Sequence, residues 1–507
     1  MTGITDASVG SWRRPENVAV ALGYGLMLAV LAGVTTRGIA DFRVFGITLL
    51  LAVPLVYAYA AVLFPWFISA FLVAIAIVPI YWVPPPGGVP FTLVPAAFAA
   101  LILAPISVWK IGLVRIVAAD WIVLGLLVTG TITNYLNFDY ATNFTIGLSI
   151  RLGLFYLAFR IIAQRYDLLK LMTVTVFATG ALLALAALNE RLSETNIFLE
   201  LREPEYQAEL WGVLFYRFGE IRAAASFGQP IPLGLFLATC VILGSALHAI
   251  AKSVSTRVVI VVCQVLLVGG LWATLTRAPL AVAAIGYFLH VFRTRRATFS
   301  KQLVALGIPA AFVYAFTPLG DQVSNLWANT FGVSTDKLTA SSTAYRGALF
   351  DAFGEPGNYS VFGLARGSLY DQTSLVGVRG SVDNEFLLRL FQYGTVGLML
   401  FAALCLVVLW AAFRETDPLR AAWAISTAAV AVALSTVALL LQQGDFFWIG
   451  IAVTAAGTAL GSRNGEGSEG RGVVGLLNER GVAEPAPVLR DRPHQRTGDV
   501  RMRKLHR

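Results

Sequence analysis

Charge is scarce in this sequence. Only 13% of the 507 residues are Asp, Glu, Lys or Arg, while 57% are hydrophobic. Soluble domains carry about 25% charge, and mean hydropathy here is +0.72, so an ordinary water-soluble globular domain is excluded. Cysteine is also rare. Cys240, Cys263 and Cys405 are odd in number, widely spaced and inside apolar runs, which argues against a disulfide framework or a metal site. The four histidines, His248, His290, His494 and His506, have no metal-ligand spacing. The polar stretch Met1–Asn17 lacks a short apolar core with a small-residue cleavage site, so no removable signal peptide is expected.

What remains is apolar sequence in long runs. They fall at 18–35, 44–63, 66–83, 91–108, 115–133, 145–163, 168–188, 227–250, 256–275, 277–292, 302–318, 385–412, 420–441 and 445–461. A run of about 18 to 20 residues spans a hydrocarbon core of about 30 Å as a helix. Lipid offers the backbone no hydrogen bonds, so such runs must be helical. The alternating short segments of a membrane barrel are absent from the sequence. The expected fold is an all-α, polytopic membrane protein with about 12–14 transmembrane helices.

Basic residues set the expected orientation. The net charge of +9 resides in short loops and a tail, which is a topological pattern and not a nucleic-acid one. Lys110 with Arg115, Arg160 with Arg165 and Lys170, Lys252 with Arg257, and Arg293 with Arg295, Arg296 and Lys301 mark four cytoplasmic loops. The run count is consistent with all four on one side. It then places 189–226 and 319–384 outside, in the plasma or inner membrane of a cell.

The organisation expected from this pattern follows the chain. Residues 1–17 form a cytoplasmic N-terminus and 18–188 a transmembrane bundle poor in ionisable groups. Proline-rich breaks such as Val83–Gly88 separate its helices. Segment 189–226 is extracytoplasmic. Leu210, Leu214 and Phe218 recur there at helical spacing beside Trp211, Phe215 and Tyr216, and suggest a helix lying in the membrane interface. Helices at 227–318 and 385–461 flank a large polar extracytoplasmic loop at 319–384. Residues 462–507 hold scattered Gly and Pro without apolar period, as in a disordered basic cytoplasmic tail.

The informative residues are arginines on the outer side, where charge runs against the topological bias. They are Arg222, Arg277, Arg346, Arg366, Arg379 and Arg389, with Arg151 in the outer half of its span. A guanidinium presents a fixed fork of donors that matches two phosphate oxygens. It can equally pair with a carboxylate or extend its charged head to the interface. Just after the loop stand Asp383, Asn384 and Glu385. A carboxylate there could take the proton of an acceptor hydroxyl, or Asp383 could cap the following helix.

Several of these stretches together resemble the O-antigen ligase and polysaccharide polymerase superfamily. Arg222 followed by Ala223–Leu233 is similar to its arginine-then-Gly/Phe-then-Asn/Pro segment. Thr276-Arg277-Ala278 is similar to its Ser-Arg-Gly step, which opens a helix followed by a basic loop. Tyr345-Arg346 and Gly363 resemble the start of its outer loop. Asp383-Asn384-Glu385-Phe386-Leu387, with Tyr393-Gly394-Thr395-Val396-Gly397, resembles the loop's His-Asn-x-(Tyr/Phe)-Leu and x-Gly-x-x-Gly ending. The match covers about 219 to 415, and Asp383 stands where the family has histidine.

The resemblance implies a GT-C-like fold and a glycosyltransferase working without metal or other cofactor. It implies transfer of a glycan from a polyprenyl diphosphate to a sugar hydroxyl at the outer face, in exopolysaccharide or other cell-envelope glycan synthesis. The implied partners are the polyprenyl-diphosphate-linked donor, a glycan or lipid-glycan acceptor, and membrane lipids. Arg222 and Arg277 would hold the diphosphate, with Arg346, Arg366, Arg389 and Asn384 as further substrate contacts. Asp383 or Glu385 would act as the base. The missing histidine shifts weight from ligase toward polymerase. A secondary transporter or lipid-linked glycan flippase is the competing class. It would carry charge near the bilayer midplane and paired repeats, and neither is evident in the sequence.

Overall fold

The computed structural model describes residues 63–79, 103–112, 115–137, 149–201, 213–217, 220–294, 360–363, 384–439 and 441–478. Within them the regular structure is helical apart from one small two-stranded hairpin. The helices are α1 (Phe64–Ile77), α2 (Ala118–Asn137), α3 (Phe155–Ile162), α4 (Tyr166–Ser193), α5 (Pro230–Ile250), α6 (Val254–Ala273), α7 (Arg277–Thr294), α8 (Glu385–Arg414), α9 (Pro418–Ala433) and α10 (Leu441–Asn478). A further helical stretch covers 103–111. Eleven of the fourteen apolar runs therefore carry helix among the described residues. Runs 18–35 and 302–318, and all but the last residue of 44–63, lie outside them.

Helix starts follow local chemistry. Ser253 caps α6 by accepting the Thr256 N–H at 3.1 Å. Asp417 caps α9 through Arg420 N–H at 2.9 Å, with Pro418 at its first position. Proline there has no N–H to leave orphaned, and its fixed φ suits the first turn. Pro230 opens α5 in the same way, after Gly228 turns the chain at φ 67°.

Five described helices are long and apolar enough to cross a membrane: Ala118–Leu136, Tyr166–Ser193, Pro230–Ile250, Val254–Ala273 and Glu385–Arg414. Their burial differs sharply. In the most apolar window of α5, 83% of residues are buried, against 22% in α6. The first is the central post of the bundle. The second turns Val258, Val261, Val262, Val265 and Val268 outward, a face that suits hydrocarbon and not water. In the core, Trp423 of α9 is fully buried and donates its indole N–H to Thr173 of α4 at 3.0 Å. A buried indole needs such a partner.

The described helices of the first compact unit, Met1–Leu460, present two chemically distinct ends. One gathers the basic turns. Arg165 pairs with Asp167 at 2.8 Å, and Arg257 donates to Ala251 O at 3.0 Å. Arg293 donates to Ala412 O. His290 lies buried between Ser245 Oγ at 2.7 Å and Pro418 O at 3.0 Å. The opposite end holds the end of α4, the hairpin, the α6–α7 turn and the start of α8. In the second unit, Gly461–Arg507, the backbone stays helical to Asn478, inside the segment expected from sequence to be tail.

Two expectations need correction. The described part of 189–226 is not an interfacial helix. Phe215–Arg217 (β1) and Glu220–Arg222 (β2) form an antiparallel pair, with Phe215 opposite Arg222 and Arg217 opposite Glu220. Three apolar residues at helical spacing do not outweigh an aromatic pair suited to a strand and the tertiary bonds that hold β2. Arg160 is not a loop residue either. It is fully buried, its Nε 3.1 Å from Asp120 Oδ1, with Tyr156 OH donating to the same oxygen at 2.6 Å. A charge this deep is tolerated because it is paired.

Candidate functional site

The segments carrying Arg222 and Arg277 lie against each other. Arg222 closes β2 and donates its Nε–H to Thr274 O at 3.3 Å. The next residue, Ala223, donates its N–H to Ala273 O at 3.0 Å. That turn continues through Thr274 and Thr276, whose hydroxyls are 2.5 Å apart, to Arg277, the first residue of α7. Both arginines are half-buried. Sequence separates them by 55 positions, and the hairpin returns them to one place.

The backbone at this place is strained. Ala225 has φ 42° and Leu275 has φ 47°; with Glu194 at φ 56°, they are the non-glycine residues of positive φ among those described. All three lie at this end. Each costs of order 1 kcal/mol or more and persists only where its surroundings dictate it. For Ala225 the dictating group is Glu190, near the end of α4. Its buried carboxylate accepts Ala224 N–H at 3.1 Å and Ala225 N–H at 2.8 Å through Oε2, and Asn196 Nδ2–H at 3.1 Å through Oε1. Its neighbour Arg191 donates to Ile221 O at 2.8 Å and pairs with Glu220 at 2.6 Å. Ser226 Oγ then reaches Ala76 O at 2.6 Å.

The start of α8 stands at the same end. Its cap is Asn384, which accepts Leu387 N–H at 3.2 Å and donates to Ser435 O at 2.7 Å. Glu385 is fully buried. Its Oε2 accepts Leu439 N–H at 2.7 Å, and its Oε1 is 2.5 Å from Arg389 Nη2 one turn on. Arg389 also lies over the rings of Tyr393 and Phe401, each centroid 5.6 Å away. Asn384 and Glu385 thus tie α8 to the end of α9 and the segment after it, and Arg389 holds Glu385. The cap that sequence allowed Asp383 is made one residue later.

A fragment of the stretch between α7 and α8 is fixed against α8 as well. Gly394 breaks α8 at φ 70°, and residues 360–363 occupy the break. Thr395 N–H donates to Ser360 O and Val396 N–H to Val361 O, both at 3.3 Å. Gly363, at φ 74°, lies so close that a Cβ on it would strike the Gln392 carbonyl, and one on Gly394 would strike Val361 O. Thr133 of α2 donates to Phe362 O.

Of the residues singled out from sequence, Arg222 and Arg277 are brought together, and Asn384, Glu385 and Arg389 form a second group at the same end. Arg346, Arg366 and Asp383 lie outside the described residues; the side chain of Arg151 does too. Sequence reading overlooked Glu190 and Arg191, which sit just past an apolar run, where charge reads as loop. It also overlooked Gln442, whose Nε2 donates to Ile75 O at 3.0 Å and Val78 O at 2.7 Å, and the buried Asp445. Among the described residues no group of His, Cys, Asp or Glu is arranged to hold a metal.

Among the described residues the protein is mostly α-helical, with five helices long and apolar enough to cross a membrane and a polar, arginine-bearing end. In comparisons with known proteins, no family model matches the chain and no curated protein matches it.

Proposed function

We propose that the protein is a GT-C-like membrane glycosyltransferase of the polysaccharide polymerase or ligase type. It moves a glycan from a polyprenyl diphosphate to a sugar hydroxyl at the outer face of the membrane. The observation that carries this reading is the juxtaposition at Arg222 and the Thr274–Arg277 turn. An arginine at a helix N-terminus is electrostatically misplaced, because the helix dipole is positive there. A bound anion reverses that penalty, since helix N–H groups and guanidinium donors then converge on one charge. A diphosphate leaving group fits two such donors, and negative charge grows on it as the anomeric bond breaks.

Orientation is part of the proposal. The end bearing Arg165, Arg257 and Arg293 faces the cytoplasm, by the bias for Lys and Arg in cytoplasmic loops. The arginine site and the polar stretch 319–384 then face outward. Asp383, adjoining the Asn384 cap, is the base we assign to the acceptor hydroxyl. Glu385, paired with Arg389, holds the start of α8.

The test is Arg222→Lys and Arg277→Lys, each followed by a gel of cell-surface glycans. Lysine keeps the charge and loses the fork. Loss of one well-aimed donor costs about 3 kcal/mol, so chain formation should fall about a hundredfold with membrane insertion intact. Wild-type glycan in both variants would remove the diphosphate assignment. In a deletion strain, single repeat units identify a polymerase, and full-length chains left on the carrier lipid identify a ligase.

A further inference from the structure

We infer that Glu190 and Arg191 form a clamp that positions Arg222 for its ligand; this rests on the diphosphate reading above. The clamp is two consecutive residues at the end of α4, acting on both sides of Arg222. Arg191 holds the residue before it, through Ile221 O at 2.8 Å. Glu190 holds the residues after it, through the N–H groups of Ala224 and Ala225. Between these points Arg222 has little backbone freedom, and its own neighbour Ala223 is bonded to Ala273 O.

The chemistry of the clamp is directional. Glu190 is 1% exposed, so its carboxylate must be met by donors. The donors are two backbone N–H groups turned inward by the left-handed Ala225 and the Asn196 amide. The strained turn and the carboxylate therefore require each other. Relaxing Ala225 to an ordinary φ would withdraw the donors and leave a buried charge unmet, a change of the costly kind. Arg191 adds an ion pair to Glu220 on β2, so the strand cannot slide along α4. Neither residue is placed on the ligand. Their effect passes through the position of one guanidinium, as supporting groups do around other preorganised sites.

The experiment uses the full-length protein in detergent and farnesyl diphosphate as the binding probe, titrated calorimetrically. Glu190→Ala should weaken binding about tenfold, the effect of misplacing one charge-assisted donor pair. Glu190→Gln retains an oxygen for the two N–H groups and should lie within about threefold of wild type. In an Arg222→Lys background, Glu190→Ala should add nothing further, because the group it positions is already gone. Multiplying effects in the double variant, or wild-type affinity for Glu190→Ala beside a weakened Arg222→Lys, would overturn the clamp. Wild-type affinity for Arg222→Lys would instead remove the diphosphate reading, and the clamp with it. Should Glu190→Ala fail to accumulate, Arg191→Gln takes its place. It loses the Ile221 and Glu220 contacts at a partly exposed position, and the same outcomes decide.

Discussion

Gly363 and Gly394 meet backbone to backbone, although 31 positions of chain separate them. Each takes a positive φ, and neither has room for a Cβ. A methyl at Gly394 would collide with Val361 O and place an L side chain in the left-handed region, a penalty of order 1–2 kcal/mol before the clash is counted. Gly394→Ala should therefore release residues 360–363 from α8. Limited proteolysis of membranes should show faster cleavage near 360 with the helical bundle retained; an unchanged cleavage rate would show that the contact is incidental.

The Glu385–Arg389 pair offers a sharper test of assignment. Removing one member of a buried ion pair costs about 3–5 kcal/mol, because the other charge is stranded. Arg389→Met should sharply lower the yield of folded protein. Glu385→Gln together with Arg389→Met should restore much of it, since no lone charge remains. Thermal unfolding in detergent would report both. A folded, stable Arg389→Met with lost glycan synthesis would return Arg389 to the substrate.

Asp383 and Asn384 should separate cleanly. Asn384→Ala removes the cap of α8 and should cost about 1 kcal/mol of stability, with donor affinity close to normal. Asp383→Asn should instead slow turnover while leaving donor binding in place, as loss of a general base does, by 100-fold or more. Single-turnover transfer with a lipid-linked donor distinguishes them. Equal turnover for Asp383→Asn and wild type would leave no role for that carboxylate.

At the opposite end, Asp120→Asn should be costlier than its partial exposure suggests. Arg160, Tyr156 OH and the Val117 N–H at 2.8 Å all converge on that carboxylate. Its loss strands the buried guanidinium, so a drop in folded yield is expected with no selective change in donor affinity. Wild-type yield of Asp120→Asn would show that the pair adds no stability.

The helices were legible because hydrocarbon leaves the backbone no choice, and long apolar runs announce that constraint directly. The place of Arg222 beside the α6–α7 turn was legible only as a motif. Nothing in the sequence signals that Ala223 would bond Ala273. The hairpin at Phe215–Arg222 was misread as helix because its stability comes from Arg191 and the α6–α7 turn, distant in sequence. Arg160 was misread for the same kind of reason. Its partner Asp120 is forty positions away, and an arginine at the end of an apolar run looks like a loop marker until the partner is known. Glu385 stood out in sequence as a carboxylate beside Asp383 and Arg389 as an outer-side arginine; that they pair with each other one turn apart is shown only by the structure.

Gln442, from α10, takes up the carbonyls of Ile75 and Val78 at the end of α1, more than 360 positions earlier. Ser226 grips the same helix end through Ala76. The end of α1 is therefore fully tied only once α10 has been made. Nascent chains that have emerged only as far as α9 lack one of the two ties at α1. A copy ending there would hold the end of α1 by Ser226 alone.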